Sequence, residues 1–140
     1  MAPHQIKPVQ TSFAQVAQVA PIAADLFYGR LFEIAPEVRA MFPDDLSGQK
    51  KKLMAMLGTA VAGLSHLDTL LPAVRALGQR HAGYGVSADQ YVPVGAALLW
   101  TLEKGLGDAF TAETRDAWAT AYRVLAGTMI EAANGMSKAA

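Results

Sequence analysis

Residues 70–81 read LLPAVRALGQRH and carry the clearest structural signal in the chain. Leu70, Val74, Leu77 and His81 follow one another at spacings of four, three and four residues, which places them on one face of a helix. Glycines at positions 83 and 85 end the pattern. The stretch therefore predicts an amphipathic helix with an imidazole at the end of its apolar face.

Similar helical signals continue on both sides of this stretch. Ser12 with Gln15, and Ser87 with Gln90, have the spacing of capping boxes, and Ser47 and Thr111 are candidate N-caps. No segment alternates with a period of two. These signals predict an all-α fold of six to eight helices, over residues 12–20, 22–34, 36–42, 47–64, 70–81, 87–102 and 111–134. We expect one domain over residues 1–140, with a core from about 12 to 134 and short flexible tails.

The composition limits the classes of function. Of 140 residues, 52% are hydrophobic and 17% are charged, so the chain is too apolar to be disordered. Twelve basic residues balance twelve acidic ones, and without a basic surface we expect no nucleic-acid partner. The sequence leaves open whether the protein is a monomer or a weak homodimer.

The absence of cysteine excludes thiolate chemistry and covalent haem attachment through cysteine. The polar N-terminal stretch lacks the apolar segment of a secretory signal. No run of about 18 apolar residues suggests a membrane span. We therefore expect a cytoplasmic protein that does not associate with a membrane.

His81 and Gln49 are the main candidates for ligand chemistry. An imidazole in an apolar setting must be hydrogen-bonded or bound to a metal, since an unpaired one costs about 1–3 kcal/mol. One interpretation of His81 is a core histidine satisfied by a backbone carbonyl, and the other is a metal ligand. Gln49 lies at the edge of the apolar stripe of Leu53 and Leu57, so it is either a boundary residue or a hydrogen-bond donor facing His81.

Aromatic residues precede this pair of helices. Tyr28 lies in the stretch LFYGRLF of residues 26–32, and Phe42 lies beside a proline. Such residues are often core filler. A buried tyrosine, however, usually places its hydroxyl against something polar, and a bound ligand would meet that need.

Taken together, these residues resemble the bacterial globins. The resemblance covers about residues 12–134 and rests on the stretch 26–32, Pro36, Phe42, Gln49 with Leu53, residues 77–81 (LGQRH) and residues 91–95 (YVPVG). The similar types are the single-domain haemoglobins of the Vitreoscilla and Hell's Gate kinds and the haem domain of flavohaemoglobins.

The resemblance implies a role for each candidate residue. It makes His81 the proximal ligand of a non-covalent haem b, and Tyr28 and Gln49 the distal pair that hydrogen-bonds the gas. Lys52 would either pair with a haem propionate or remain a solvated lysine. The other residues implied to contact the porphyrin or line its pocket are Phe42, Leu53, Leu57, Leu77, Val86, Tyr91, Val94 and Leu98.

One position departs from the flavohaemoglobin pattern. In that type a glutamate of the last helix accompanies the proximal histidine and the tyrosine matching Tyr91. Here Ala133 occupies the matching position, and Glu131 lies two residues earlier, roughly 200° around a helix. We therefore do not expect the strong proximal electrostatics of that type.

Three functions are consistent with the sequence. The first is reversible binding of dioxygen, and of nitric oxide or carbon monoxide, at a five-coordinate iron. The second is a nitric oxide dioxygenase working with a separate flavin reductase. The third is a haem-free helical interaction or sensor module. The sequence leaves open whether an internal side chain closes the distal position.

Overall fold

The computed structural model describes the backbone of residues 1–139 and the side chains of residues 1–135. Over these residues the chain is helical, without a strand, as the sequence predicted. The six α-helices are α1 (Pro3–Ala17), α2 (Ala20–Ile34), α3 (Ser47–Gly63), α4 (Leu67–Gly83), α5 (Tyr91–Leu106) and α6 (Ala112–Ala139). Short 3-10 segments lie at Pro36–Met41, Leu64–His66, Ala88–Gln90 and Gly107–Ala109.

The first helix begins nine residues earlier than the predicted capping box. Pro3 occupies the first turn of α1, where the missing N–H of a proline costs nothing. Ser12 lies within the helix, and its hydroxyl donates to the carbonyls of Pro8 and Val9 at 2.6 and 3.1 Å. Val9 is 0% exposed. The prediction that Ser12 opens a helix was therefore wrong.

The last helix also extends beyond its predicted end. α6 continues through Asn134 and Gly135 to Ala139, and Ala140 lies outside the described residues. Neither Asn134 nor Gly135 stops it. At the other end the Thr111 hydroxyl accepts the N–H of Thr114 at 3.2 Å, as expected of an N-cap.

The connection between α4 and α5 follows the sequence prediction. Gly85 has a φ of +89°, a conformation that residues with a side chain rarely adopt. The N–H of Ser87 donates to the side-chain oxygen of Gln90 at 2.9 Å, and the two form the predicted capping box. The chain therefore turns sharply between the helix that carries His81 and the helix that begins at Tyr91.

The buried residues form two groups. The larger, here called the main core, includes Phe27, Leu31, Leu98 and Trp118 and draws on α1, α2, α3, α5 and α6. The smaller, here called the α4–α6 cluster, consists of Leu70, Val74 and Met129. α4 packs chiefly on α6, whereas α3 packs chiefly on α2 and α1. The helices that carry Gln49 and His81 are therefore held by different neighbours.

The stretch Ser47–Gly83 is long and apolar enough, by length and composition alone, to cross a membrane. Its most apolar 18-residue window has a mean hydropathy of 1.3, and 22% of that window is buried. The 3-10 segment Leu64–His66 divides the stretch into α3 and α4, which pack on different helices. This packing shows that the two halves are separate helices of one fold.

Candidate functional site

His81 lies in the last turn of α4 with one ring nitrogen engaged. Its Nδ1 is 2.9 Å from the carbonyl oxygen of Leu77. Because a carbonyl can only accept a hydrogen bond, this contact assigns the proton to Nδ1. The same hydrogen bond fixes the ring and leaves Nε2 as the nitrogen with a lone pair for a metal, an arrangement common to metal-binding histidines.

The turn after α4 closes around the backbone of His81. The His81 carbonyl accepts the N–H groups of Tyr84 and Val86, each at 3.0 Å. Two hydrogen bonds therefore tie the turn to the residue that carries the imidazole. They also explain how Val86, predicted as a pocket residue, is held next to His81.

Tyr91 begins α5 and packs against the α4–α6 cluster with Leu77. The Tyr122 hydroxyl of α6 donates to the Tyr91 carbonyl at 2.5 Å. Burial raises the pKa of Tyr91, and burial together with the nearby Tyr91 raises the pKa of Tyr122 well above its usual value. Both tyrosines therefore stay neutral around physiological pH on the His81 side of the molecule.

Tyr28 is a buried, neutral donor on α2. It is 3% exposed, and its ring meets Phe27 and Phe42 edge-on, with centroids 5.0 and 5.6 Å apart. Burial raises the pKa of the Tyr28 hydroxyl, and hydrogen bonding with the Gln49 side chain acts in the opposite sense. The structure therefore brings Tyr28, Phe42 and Gln49 together from three separate parts of the chain.

An ion pair joins the helices that carry these two donors. Lys50 Nζ lies 2.8 Å from the Asp25 carboxylate, which links α3 to α2 next to Gln49. Asp25 is exposed, so the pair contributes at most about 1 kcal/mol.

A small apolar cavity of about 20 Å³ lies among residues of α1, α2, α3, α5 and α6. Leu53, Leu57 and Leu98, three of the predicted pocket residues, line it together with Phe27 and Thr101. Leu53 and Leu57 are half-buried and pack against the main core. An apolar void of this kind excludes water more readily than it excludes a small apolar molecule.

Of the remaining predicted residues, Val94 and Leu77 pack against the buried groups, whereas Lys52 does not. Val94 packs against the main core with Leu98, whereas Leu77 packs against the α4–α6 cluster. Lys52 is exposed on α3 and takes part in neither group. Near the end of α6, Ala133 is half-buried and Glu131 is exposed.

Comparisons with known proteins identify the family of this chain. The family model described as Globin matches residues 25–129. The chain belongs to the globin family. This globin is 32% identical over 130 residues to a neuroglobin of Chaenocephalus aceratus, an alignment covering 81% of this chain and 82% of the relative. It is 37% identical over 115 residues to a flavohemoprotein of Chromobacterium violaceum, covering 79% of this chain and 28% of the relative.

The fold comparison gives the same result. A solved structure of an engineered carbene transferase, described as a putative nitric oxide dioxygenase from Rhodothermus marinus, superposes with a TM-score of 0.86 at 25% identity. That match covers 99% of this globin and 97% of the other chain. The globin spans about a third or less of the flavohemoproteins that it matches.

The residues of this globin suit an iron porphyrin. His81 offers Nε2 with the tautomer fixed by Leu77, and Tyr28 and Gln49 offer neutral donors on a different pair of helices. Leu53 and Leu57 on α3 and Leu77 on α4 are half-buried apolar side chains, which the lining of a flat apolar ring requires. Donor chemistry and apolar lining therefore both fit the group that the family implies.

Sequence reasoning did not identify four residues that shape the site. Tyr122 holds the first residue of α5, and Phe27, Thr101 and Trp118 line the apolar cavity. All four lie on apolar helix faces, so periodicity marks them as buried. Nothing local in the sequence shows which neighbour each of them meets.

Proposed function

We propose that this globin binds haem b non-covalently, with His81 Nε2 as the proximal ligand of the iron, and binds dioxygen reversibly on the opposite face. Nitric oxide and carbon monoxide would bind at the same position. Tyr28 and Gln49 would stabilise the bound gas by hydrogen bonding. The haem-free interaction module is disfavoured, because it leaves the fixed imidazole, the buried Tyr28 hydroxyl and the half-buried Gln49 amide without a purpose.

The observation that carries the proposal is the hydrogen bond from His81 Nδ1 to the Leu77 carbonyl. This hydrogen bond satisfies only one of the two ring nitrogens, so it does not fully account for His81 as a core histidine. The lone pair of Nε2 stays available at the end of an apolar helix face. Among the side chains of residues 1–135 no carboxylate bonds to the His81 ring, and an imidazole bonded to a backbone carbonyl is a moderate electron donor, which suits reversible gas binding.

When bound, the haem would supply the iron on which the gas binds, and the protein would control its surroundings. His81 would hold the group, while Leu53 and Leu57 would exclude water from the distal face. Tyr28 and Gln49 would donate to the partial negative charge of bound dioxygen. Since this chain contains no cysteine, a non-covalent haem fits the sequence better than a thioether-linked one.

Absorption spectroscopy of His81→Ala tests the proposal. We expect the wild-type protein to show an intense Soret band that shifts when the dithionite-reduced form receives carbon monoxide. His81→Ala should lose or strongly alter that band, whereas His66→Ala, at an exposed histidine in the turn before α4, should leave it unchanged. A wild-type protein without a Soret band after haem-replete expression and reconstitution would refute the proposal.

A second candidate function is nitric oxide dioxygenation with a separate flavin reductase. It is favoured by similarity to flavohemoproteins and to a structure described as a putative nitric oxide dioxygenase. The same distal donors suit it, because slow release of dioxygen leaves time for nitric oxide to arrive. Sustained nitric oxide consumption with reductase and NADH present would support it, and a single stoichiometric burst would contradict it.

A further inference from the structure

The helix that carries His81 meets α6 backbone to backbone at one glycine. A Cβ built on Gly78 would collide with the carbonyl oxygen of Met129 and would lie 2.5 Å from its Cα. Both contacts are to backbone atoms, which cannot rotate away as a side chain can. Any larger residue at position 78 must therefore move α4 and α6 apart.

The contact between Gly78 and Met129 lies close to His81, both along the axis of α4 and around it. The two residues are three positions apart, so they are separated by roughly one helical turn and point about 60° apart around the axis of α4. α6 is the helix on which α4 mainly packs, and Leu70 and Val74 of α4 meet Met129 in the same interface. The backbone of α6 is thus the surface against which the His81 helix rests.

We propose that Gly78 is a positioning residue that sets how far His81 reaches towards the haem iron. The Met129 backbone, which packs against Gly78, limits how closely α4 can approach α6. The inference rests on the proposed function, because it assigns a role towards the haem. It identifies the absence of a side chain at position 78 as the feature that lets the imidazole approach.

The geometry gives the direction of the effect. Ordinary contacts of a Cβ begin near 3.4 Å, so Gly78→Ala must separate the backbones by up to about 1 Å. About half of that movement lies along the direction of His81, since the two directions differ by about 60°. The imidazole of the variant should therefore withdraw by up to roughly 0.5 Å, which strains the bond between the iron and Nε2.

The iron–histidine stretching frequency, measured by resonance Raman spectroscopy of the ferrous, ligand-free protein, reports this bond directly. We expect Gly78→Ala to lower the frequency and to accelerate haem transfer to an apoprotein acceptor roughly 10-fold or more, as supporting residues of metal sites do. The matched control is Gly83→Ala in the same helix, where a Cβ meets nothing within 4 Å. That variant should leave both quantities unchanged.

Met129→Ala separates positioning from stability. This substitution removes a buried side chain but retains the backbone of residue 129, against which Gly78 packs. It should therefore lower the melting temperature and leave the iron–histidine frequency unchanged. An unchanged frequency in Gly78→Ala would overturn the inference. A frequency in Met129→Ala that differs from the wild-type value would also overturn it, and this second test holds even when Gly78→Ala does not fold. A wild-type protein that binds no haem would instead refute the proposed function.

Discussion

Replacing Tyr28 by phenylalanine removes one oxygen atom from the distal side and little else. The ring is 3% exposed and lies 5.0–5.9 Å, centroid to centroid, from Phe27, Phe32 and Phe42. These contacts hold the phenylalanine in the same place. A change in gas binding can therefore be attributed to the lost hydroxyl group.

The size of the effect follows from the environment of the hydroxyl. Burial raises its pKa, so it remains a protonated donor at neutral pH and up to at least its ordinary value of 10. A hydrogen bond to a charged acceptor contributes about 1.5–3 kcal/mol. At about 1.4 kcal/mol for each factor of ten, Tyr28→Phe should accelerate dioxygen release roughly 10- to 100-fold.

Stopped-flow displacement of dioxygen by carbon monoxide measures this rate. The matched control is Tyr84→Phe, which removes the hydroxyl of a tyrosine that is 71% exposed and lies on the His81 side. We expect the control to match the wild type, and the wild-type rate to stay constant from pH 6 to pH 9. A dioxygen release rate in Tyr28→Phe equal to the wild-type rate would refute the reasoning.

Gln49→Leu extends this test to the second donor. Because the Gln49 side chain lies close enough to the Tyr28 hydroxyl to lower its pKa, we expect the two substitutions to be non-additive when they are combined. Additive effects on the release rate would mean that the two side chains act on the gas independently.

Signals that span only a few residues were enough to predict most of the fold. The spacing of Leu70, Val74, Leu77 and His81 predicted α4, and the Ser87–Gln90 pair predicted the start of the helical segment that leads into α5. In both cases the deciding contacts lie within one or two helical turns. Local chemistry and the final structure therefore agree.

Ser12 shows why other features could not be predicted in this way. A serine followed three residues later by glutamine fits a helix start, but the partner that explains Ser12 is Trp118. The indole Nε1 donates to the Ser12 hydroxyl at 2.8 Å across 106 positions of sequence. Gly78 is similar, because the sequence shows a missing side chain but not the Met129 backbone opposite it.

The roles of individual site residues stay predictions for the same reason. Tyr28, Phe42 and Gln49 converge in the structure, which supports their assignment to one side of the site. The assignment of Lys52 to a propionate has no such support, since the residue is exposed on α3. The cytoplasmic location, the oligomeric state and the reductase partner also stay predictions.

Two further predictions concern the backbone around His81 and Tyr91. Gly85→Ala should lower the free energy of unfolding by about 1–2 kcal/mol, because its φ is +89° and no neighbour crowds it, whereas Gly83→Ala should not lower it. Tyr122→Phe removes the hydrogen bond to the Tyr91 carbonyl, which costs about 1 kcal/mol at pH 8. Folding raises the pKa of Tyr122, so its neutral form contributes stability that is complete below about pH 10 and is lost as the pH rises further. Urea unfolding at pH 8 and pH 11 should therefore show the wild type losing more stability than Tyr122→Phe. An equal loss in both proteins would mean that this tyrosine is not protonated preferentially in the folded state, and that its buried contact with α5 does not oppose alkaline unfolding.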